Sequence, residues 1–152
     1  MALDKAALLA MTGDELDKLF GDSPAGPIPD GEAEGTAIVA SGTPFSLQIA
    51  EFLNVFAWKG KTFDGEHGVL TNRITVIGLN AIVAEVYAGK SWFDDKDCIV
   101  LDYSKTSLVA HWVRDEIRLI GPGFYLGQVY LGKKRLIHFA LQFPTGAATI
   151  TA

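Results

Sequence analysis

The chain has one cysteine, Cys98. A single thiol forms no internal disulfide and no thiolate metal cluster, and nothing in it points to an oxidising compartment. Histidine is scarce too: His67, His111 and His138 stand on separate segments with no pair at ligand spacing, so no metal cofactor is expected. Basic charge is outnumbered, with 13 Lys and Arg against 18 Asp and Glu and a net charge of −5. A binder of phosphate backbones needs clustered cations. The densest basic run, Lys133-Lys134-Arg135, falls in an expected hairpin turn, where charge serves solvation. No nucleic-acid partner is therefore expected. Long apolar runs are also missing. The longest, over 45–58, is broken by Gln48, Glu51 and Asn54 and is shorter than the roughly 20 residues that cross a bilayer. Met1-Ala2-Leu3-Asp4-Lys5 has no basic stretch leading into an apolar one, which argues against a secretory signal. The expectation is a cytoplasmic chain with no membrane span. Phosphate-cradling glycine loops and nucleophile elbows are absent as well.

What the chain does have is a globular balance, 49% apolar and 20% charged over 152 residues, enough for one domain with a real core. It divides into an N-terminal helical arm and loop over 1–30 and a β domain over 31–152. In the arm, Thr12-Gly13-Asp14-Glu15 reads as a capping box. Leu16, Leu19 and Phe20 then form an apolar face, and Gly21 suits the helix end. Three prolines and one glycine make 22–30 a loop. A first strand is expected over 35–40. Phe45, Ile49, Phe52 and Phe56 follow at helical spacing, which predicts a helix over 44–57.

From there the pattern is strand after strand: 59–64, 68–76, 80–88, 97–103, 109–119, 123–131 and 134–143. Turn chemistry separates them, ending with Gly121-Pro122-Gly123 and Gly132-Lys133. Short connections make the neighbours antiparallel. Eight such strands close into a barrel or wrap as a curved sheet. An α+β cone, with helices against a curved sheet, is the alternative architecture.

Alternation assigns faces. Val109, His111, Val113, Asp115, Ile117 and Leu119 form the more apolar face of 109–119 and are expected inside. Arg114, Glu116 and Arg118 are expected to face solvent. Carried across the two hairpins, the inward face continues as Phe124, Leu126, Gln128 and Tyr130, then as Arg135, Ile137, Phe139, Leu141 and Phe143. This register sets Asp115 opposite Gln128 and Val113 opposite Tyr130. A one-residue slip at Gly121-Pro122-Gly123 would undo it.

Several stretches resemble a bacterial and plant domain family of unknown function named for a Gly-X-Trp-X-Gly motif. Gly31-Glu32-Ala33-Glu34-Gly35 stands at the motif position, with Ala33 in place of the tryptophan. Ala57-Trp58-Lys59-Gly60-Lys61-Thr62-Phe63 looks like that family's Trp-X-Gly-Lys-X-Phe segment. Asp115-Glu116-Ile117-Arg118 and Tyr125-Leu126-Gly127 resemble its closing hairpins. The resemblance implies a lipocalin-like, calycin-type barrel with an interior cavity, and no established activity. In such barrels the tryptophan plugs the closed end; here Trp58 or the N-terminal arm is left to do so.

An apolar lumen with a few convergent polar groups is the form of a small-ligand pocket. The expected ligand is a small hydrophobic or amphipathic molecule. Phe52, Phe56, Trp58, Val113, Ile117, Gln128 and Phe139 are the expected contacts, with Arg135 at the rim. If the barrel is instead an isomerase, cyclase or lyase, Asp115 and His111 are the candidate acid–base groups and Tyr130 the hydrogen-bond donor. Some lipocalin-like barrels hold haem through one histidine. His138 faces outward in the assumed register, which leaves His111. A barrel filled by its own side chains, with a structural role, is the remaining reading.

Overall fold

The computed structural model describes residues 3–39, 58–74, 82–105 and 112–144. Two helices lead into a mainly β body: α1 (Lys5–Leu9), α2 (Gly13–Asp22), β1 (Gly31–Ile38), β2 (Trp58–Asp64), β3 (Val69–Ile74), β4 (Ile82–Lys90), β5 (Asp97–Asp102), β6 (Val113–Gly121), β7 (Phe124–Leu131) and β8 (Lys134–Gln142). Each strand pairs antiparallel with the next, and β1 also pairs with β8, so the sheet curls into a barrel. No described helix is long and apolar enough to cross a membrane.

The caps act as the sequence implies. Thr12 Oγ1 accepts from the Glu15 amide at 3.2 Å, and Glu15 Oε1 accepts from the Thr12 amide at 3.0 Å. The box thereby satisfies donors that a helix start leaves open. One helix earlier, Asp4 caps α1 through the Ala7 amide at 2.8 Å. α2 then turns Leu16 and Phe20 onto the outside of the barrel, where they bury against Leu8, Ile38, Phe124, Leu126 and Ala140. Each such side chain contributes about 1.5–3 kcal/mol when fully buried. The helix expected over 44–57 lies outside the described residues. β1 begins four residues before the strand expected at 35–40. Its early half, Gly31 to Ala33, pairs with β2, and its later half, Glu34 to Ile38, pairs with β8.

The inner face of the barrel carries a second, larger core. Ala84, Val86, Ile99, Leu101, Val113, Ile117, Val129, Ile137 and Phe139 belong to it. One end is closed by rings. Phe143 packs 5.5 Å from Phe63 and 5.7 Å from Tyr125, centroid to centroid. The loop before β1 crosses this end: Pro24 O accepts from the Leu119 amide at 3.0 Å, Pro27 O accepts from the Tyr125 hydroxyl at 2.8 Å, and Ile28 packs on the core.

Two bulges correct the expected register. Gly121 pairs with Phe124 across Pro122-Gly123, but Leu119 pairs with Tyr125, leaving Ile120 as an extra residue on β6. A bulge of one residue exchanges the faces of the following strand. Tyr125 and Val129 therefore point inward. Phe124 and Leu126, expected inside, instead pack under α2. Leu131 pairs with Lys134 as expected, across a turn whose Gly132 has φ of 65°, the left-handed conformation that a type II′ hairpin asks of its first residue. On β8 a second bulge follows. Tyr130 pairs with Arg135 but Val129 pairs with Ile137, so Leu136 is the extra residue. The second shift cancels the first, which returns Ile137, Phe139, Leu141 and Phe143 to the interior as expected.

Candidate functional site

Within the barrel, the polar side chains of interest are Asp115 and Tyr103, each 1% exposed. The Tyr103 hydroxyl donates to Asp115 Oδ2 at 3.4 Å. β6 carries Asp115 between Leu101 of β5 and Val129 of β7, and Val113 and Ile117 flank it on the same face. Tyr103 follows β5 in the inward alternation Ile99, Leu101, Tyr103. Asp115 stands four residues from Leu119, which touches the plugged end, so the pair lies about 13 Å from that plug at ~3.3 Å per residue. A carboxylate and a phenol among aliphatic walls can hold a ligand's polar end or pass a proton, because hydrogen bonds gain strength away from water.

The other expected polar groups are elsewhere. Gln128, Tyr130 and Arg135 lie on the outer face of the barrel wall, beneath α2 and the turn between β4 and β5. The bulge at Ile120 put Gln128 and Tyr130 there, and Arg135 precedes the bulge at Leu136. Gln128 pairs with Glu116 and His138 rather than with Asp115. Its Nε2 donates to Glu116 Oε1 at 3.1 Å and to the Tyr130 hydroxyl at 3.3 Å. Burial pushes the Tyr130 phenol up to about 12, with the Glu116 charge adding to the shift, which leaves it protonated. Arg135 grips Asp17 of α2 with both terminal nitrogens, at 2.5 and 2.9 Å. His138 Nε2 lies 3.1 Å from the same carboxylate. That engagement on the outer wall takes His138 out of any interior haem.

The charged row of β6 is not solvated as expected. Glu116 is fully buried and Arg118 is 1% exposed. Glu116 accepts from Ser91 Oγ at 2.6 Å, the Trp92 amide at 2.8 Å and the Arg114 guanidinium at 3.0 Å. Arg118 donates to both oxygens of Asp94 at 2.7 Å and to Phe20 O at 2.9 Å. These charges are paid for by their partners; they pin the β4–β5 turn and α2 to the wall.

Val113, Ile117 and Phe139 are interior, as expected. Trp58 opens β2, paired with Ile74, while its side chain, with Phe52, Phe56 and His111, lies outside the described residues. Among the described residues no cluster of His, Cys, Asp and Glu could hold a metal. The sequence reading missed Tyr103 as an interior group. The period-two pattern from Ile99 through Leu101 carried that signal.

No family model matches the chain, and no curated protein matches it. Among solved structures it is similar to a protein from Thermomonospora curvata, with a TM-score of 0.61 and 14% identity over 88% of each chain. A likeness at that identity bears on the fold.

Proposed function

We propose that this barrel binds one small hydrophobic or amphipathic molecule in its interior, with the Asp115–Tyr103 pair engaging the ligand's polar end. The observation that carries the reading is that hydrogen-bonded pair, buried among the aliphatic side chains of Val113, Ile117 and Val129 and set away from the aromatic plug. Phe139 supplies an apolar wall. In this reading the chain is an eight-stranded, calycin-type barrel of the kind its likeness to the Gly-X-Trp-X-Gly family implies. The loop over 24–30 serves as its stopper.

Titration with Nile red, a neutral hydrophobic dye, tests the reading. Saturable fluorescence enhancement at one dye per chain, lowered in Ile117→Trp, is the expected result. Enhancement that never saturates, or that Ile117→Trp leaves unchanged, overturns it.

The same pair supports the second reading, an isomerase, cyclase or lyase. There Asp115 is the base and Tyr103 takes the place first assigned to Tyr130, which the outer wall holds. Once a ligand is in hand, Asp115→Asn separates the two: retained binding with lost turnover marks the enzyme.

A further inference from the structure

A groove of about 350 Å³ runs along the rim of β5 and β6, bordered by Val113 where the rim meets the interior, and Trp92, Trp112, Asp102, Ser104, Arg114 and Lys133 contribute to its walls. We propose that it is a second ligand site, for a neutral saccharide.

Two indoles border the groove and both are strongly exposed, Trp92 at 49% and Trp112 at 65%. An exposed tryptophan is expensive to keep in water, and two beside one concavity mark a place where something docks. The walls are also built rather than loose. Trp92 is held from one side by the Arg114 guanidinium, 4.3 Å from its ring centroid, and at its edge by Tyr130, 5.3 Å away. Arg114 in turn is fixed by Glu116 and by Lys90 O at 2.8 Å. Asp102 is oriented by the Tyr87 hydroxyl at 2.8 Å and the Ser104 amide at 2.9 Å.

Charge then selects the occupant. Burial pushes the Asp102 carboxyl up, but hydrogen bonds from Ser104 and Tyr87 and the charge of Arg114 outweigh it and hold it below its usual range. It is an anion, and it repels anionic ligands. Arg114 and Lys133 repel cations. A wholly apolar ligand would strip water from all three charges and return nothing. A neutral ring that is apolar on its faces and hydroxylated around its edge satisfies every wall at once: C–H groups on indole, hydroxyls donating to Asp102 and accepting from Arg114 and Lys133. A sugar has that chemistry.

Calorimetric titration of the full chain with cellotriose, maltotriose and triacetylchitotriose tests the assignment, with adenosine and benzyltrimethylammonium as competitors of other classes. The expected result is saturable binding of at least one of the three saccharides, weakened about tenfold or more by Trp112→Ala. Asp102→Asn, which preserves shape, is expected to weaken the same saccharide and carries the test if Trp112→Ala loses its circular dichroism spectrum. No saturable heat with any of the three, unchanged affinity in the folded variant, or saturation by adenosine or the ammonium alone overturns the proposal.

Discussion

Both terminal nitrogens of Arg118 reach the carboxylate of Asp94, each at 2.7 Å, from a side chain that is itself buried in the barrel wall. The Arg118 hydrogen bonds hold the Asp94 carboxyl below its usual range. The same guanidinium lies 4.4 Å from the Phe20 ring centroid and bonds Phe20 O, so one residue ties β6 to the β4–β5 turn and to α2. Truncating one partner of such a pair costs about 3–5 kcal/mol. Arg118→Ala is expected to lose about that much in urea denaturation. Arg118→Lys is expected to recover little, because an ammonium cannot reproduce the fork.

Gly127 is set by its neighbour across the hairpin. A Cβ there would fall 2.2 Å from Cζ of Phe139, with which Gly127 pairs directly. Gly127→Ala is expected to destabilise by about 1–3 kcal/mol, the range for overpacking. The Gly127→Ala/Phe139→Leu double variant is expected to recover part of that loss. Thermal melts of the four proteins check the coupling.

His138 gives the fold a pH dependence of known sign. Burial first, and the Arg135 charge second, press its pKa from 6.5 down to about 4, against the pull of Asp17. The unfolded chain therefore takes up a proton that the folded chain refuses between those values. Stability from this group is full above pH 6.5 and is lost as pH falls through about 4. The full effect is on the order of 3 kcal/mol. Denaturation midpoints measured across the window are expected to fall with pH, and His138→Gln is expected to flatten that slope.

Cys98 is buried in the wall, and burial, with the Glu116 charge adding, pushes its thiol up to about 12. Reactivity belongs to the thiolate. Iodoacetamide at mildly alkaline pH is expected to leave the native protein unmodified and to label it once in denaturant, as read by intact mass.

Much of this was legible from residue order, for physical reasons that differ by place. Thr12 and Glu15 declare a helix start because the capping box is a local structure, complete within four residues. The apolar rows of β6 and β8 were legible because alternation is local too. The face of β7 was not. It depends on whether Ile120 takes part in the ladder, and a bulge leaves no mark in hydrophobicity, so Gln128 and Tyr130 changed sides while the strand itself was read correctly. Glu116 and Arg118 misled for another reason. Alternating charge is what a solvated strand shows, and it is also what a buried ion-pair network under a helix shows. Only the docking of α2 and the β4–β5 turn, distant in sequence, decides between them. Of the candidate site, Asp115 was found from its face, and Tyr103, the last residue of the strand expected over 97–103, was overlooked because no face was assigned to that strand.

The most direct test of interior binding is methyl-resolved NMR of the protein titrated with dodecanol, a neutral amphiphile. Saturable shifts are expected at Val113, Ile117 and Val129, inside the barrel, with the Leu16 and Leu126 methyls between α2 and the outer wall unmoved. Shifts confined to Leu16 and Leu126, or none at all up to the solubility limit of the alcohol, would contradict it.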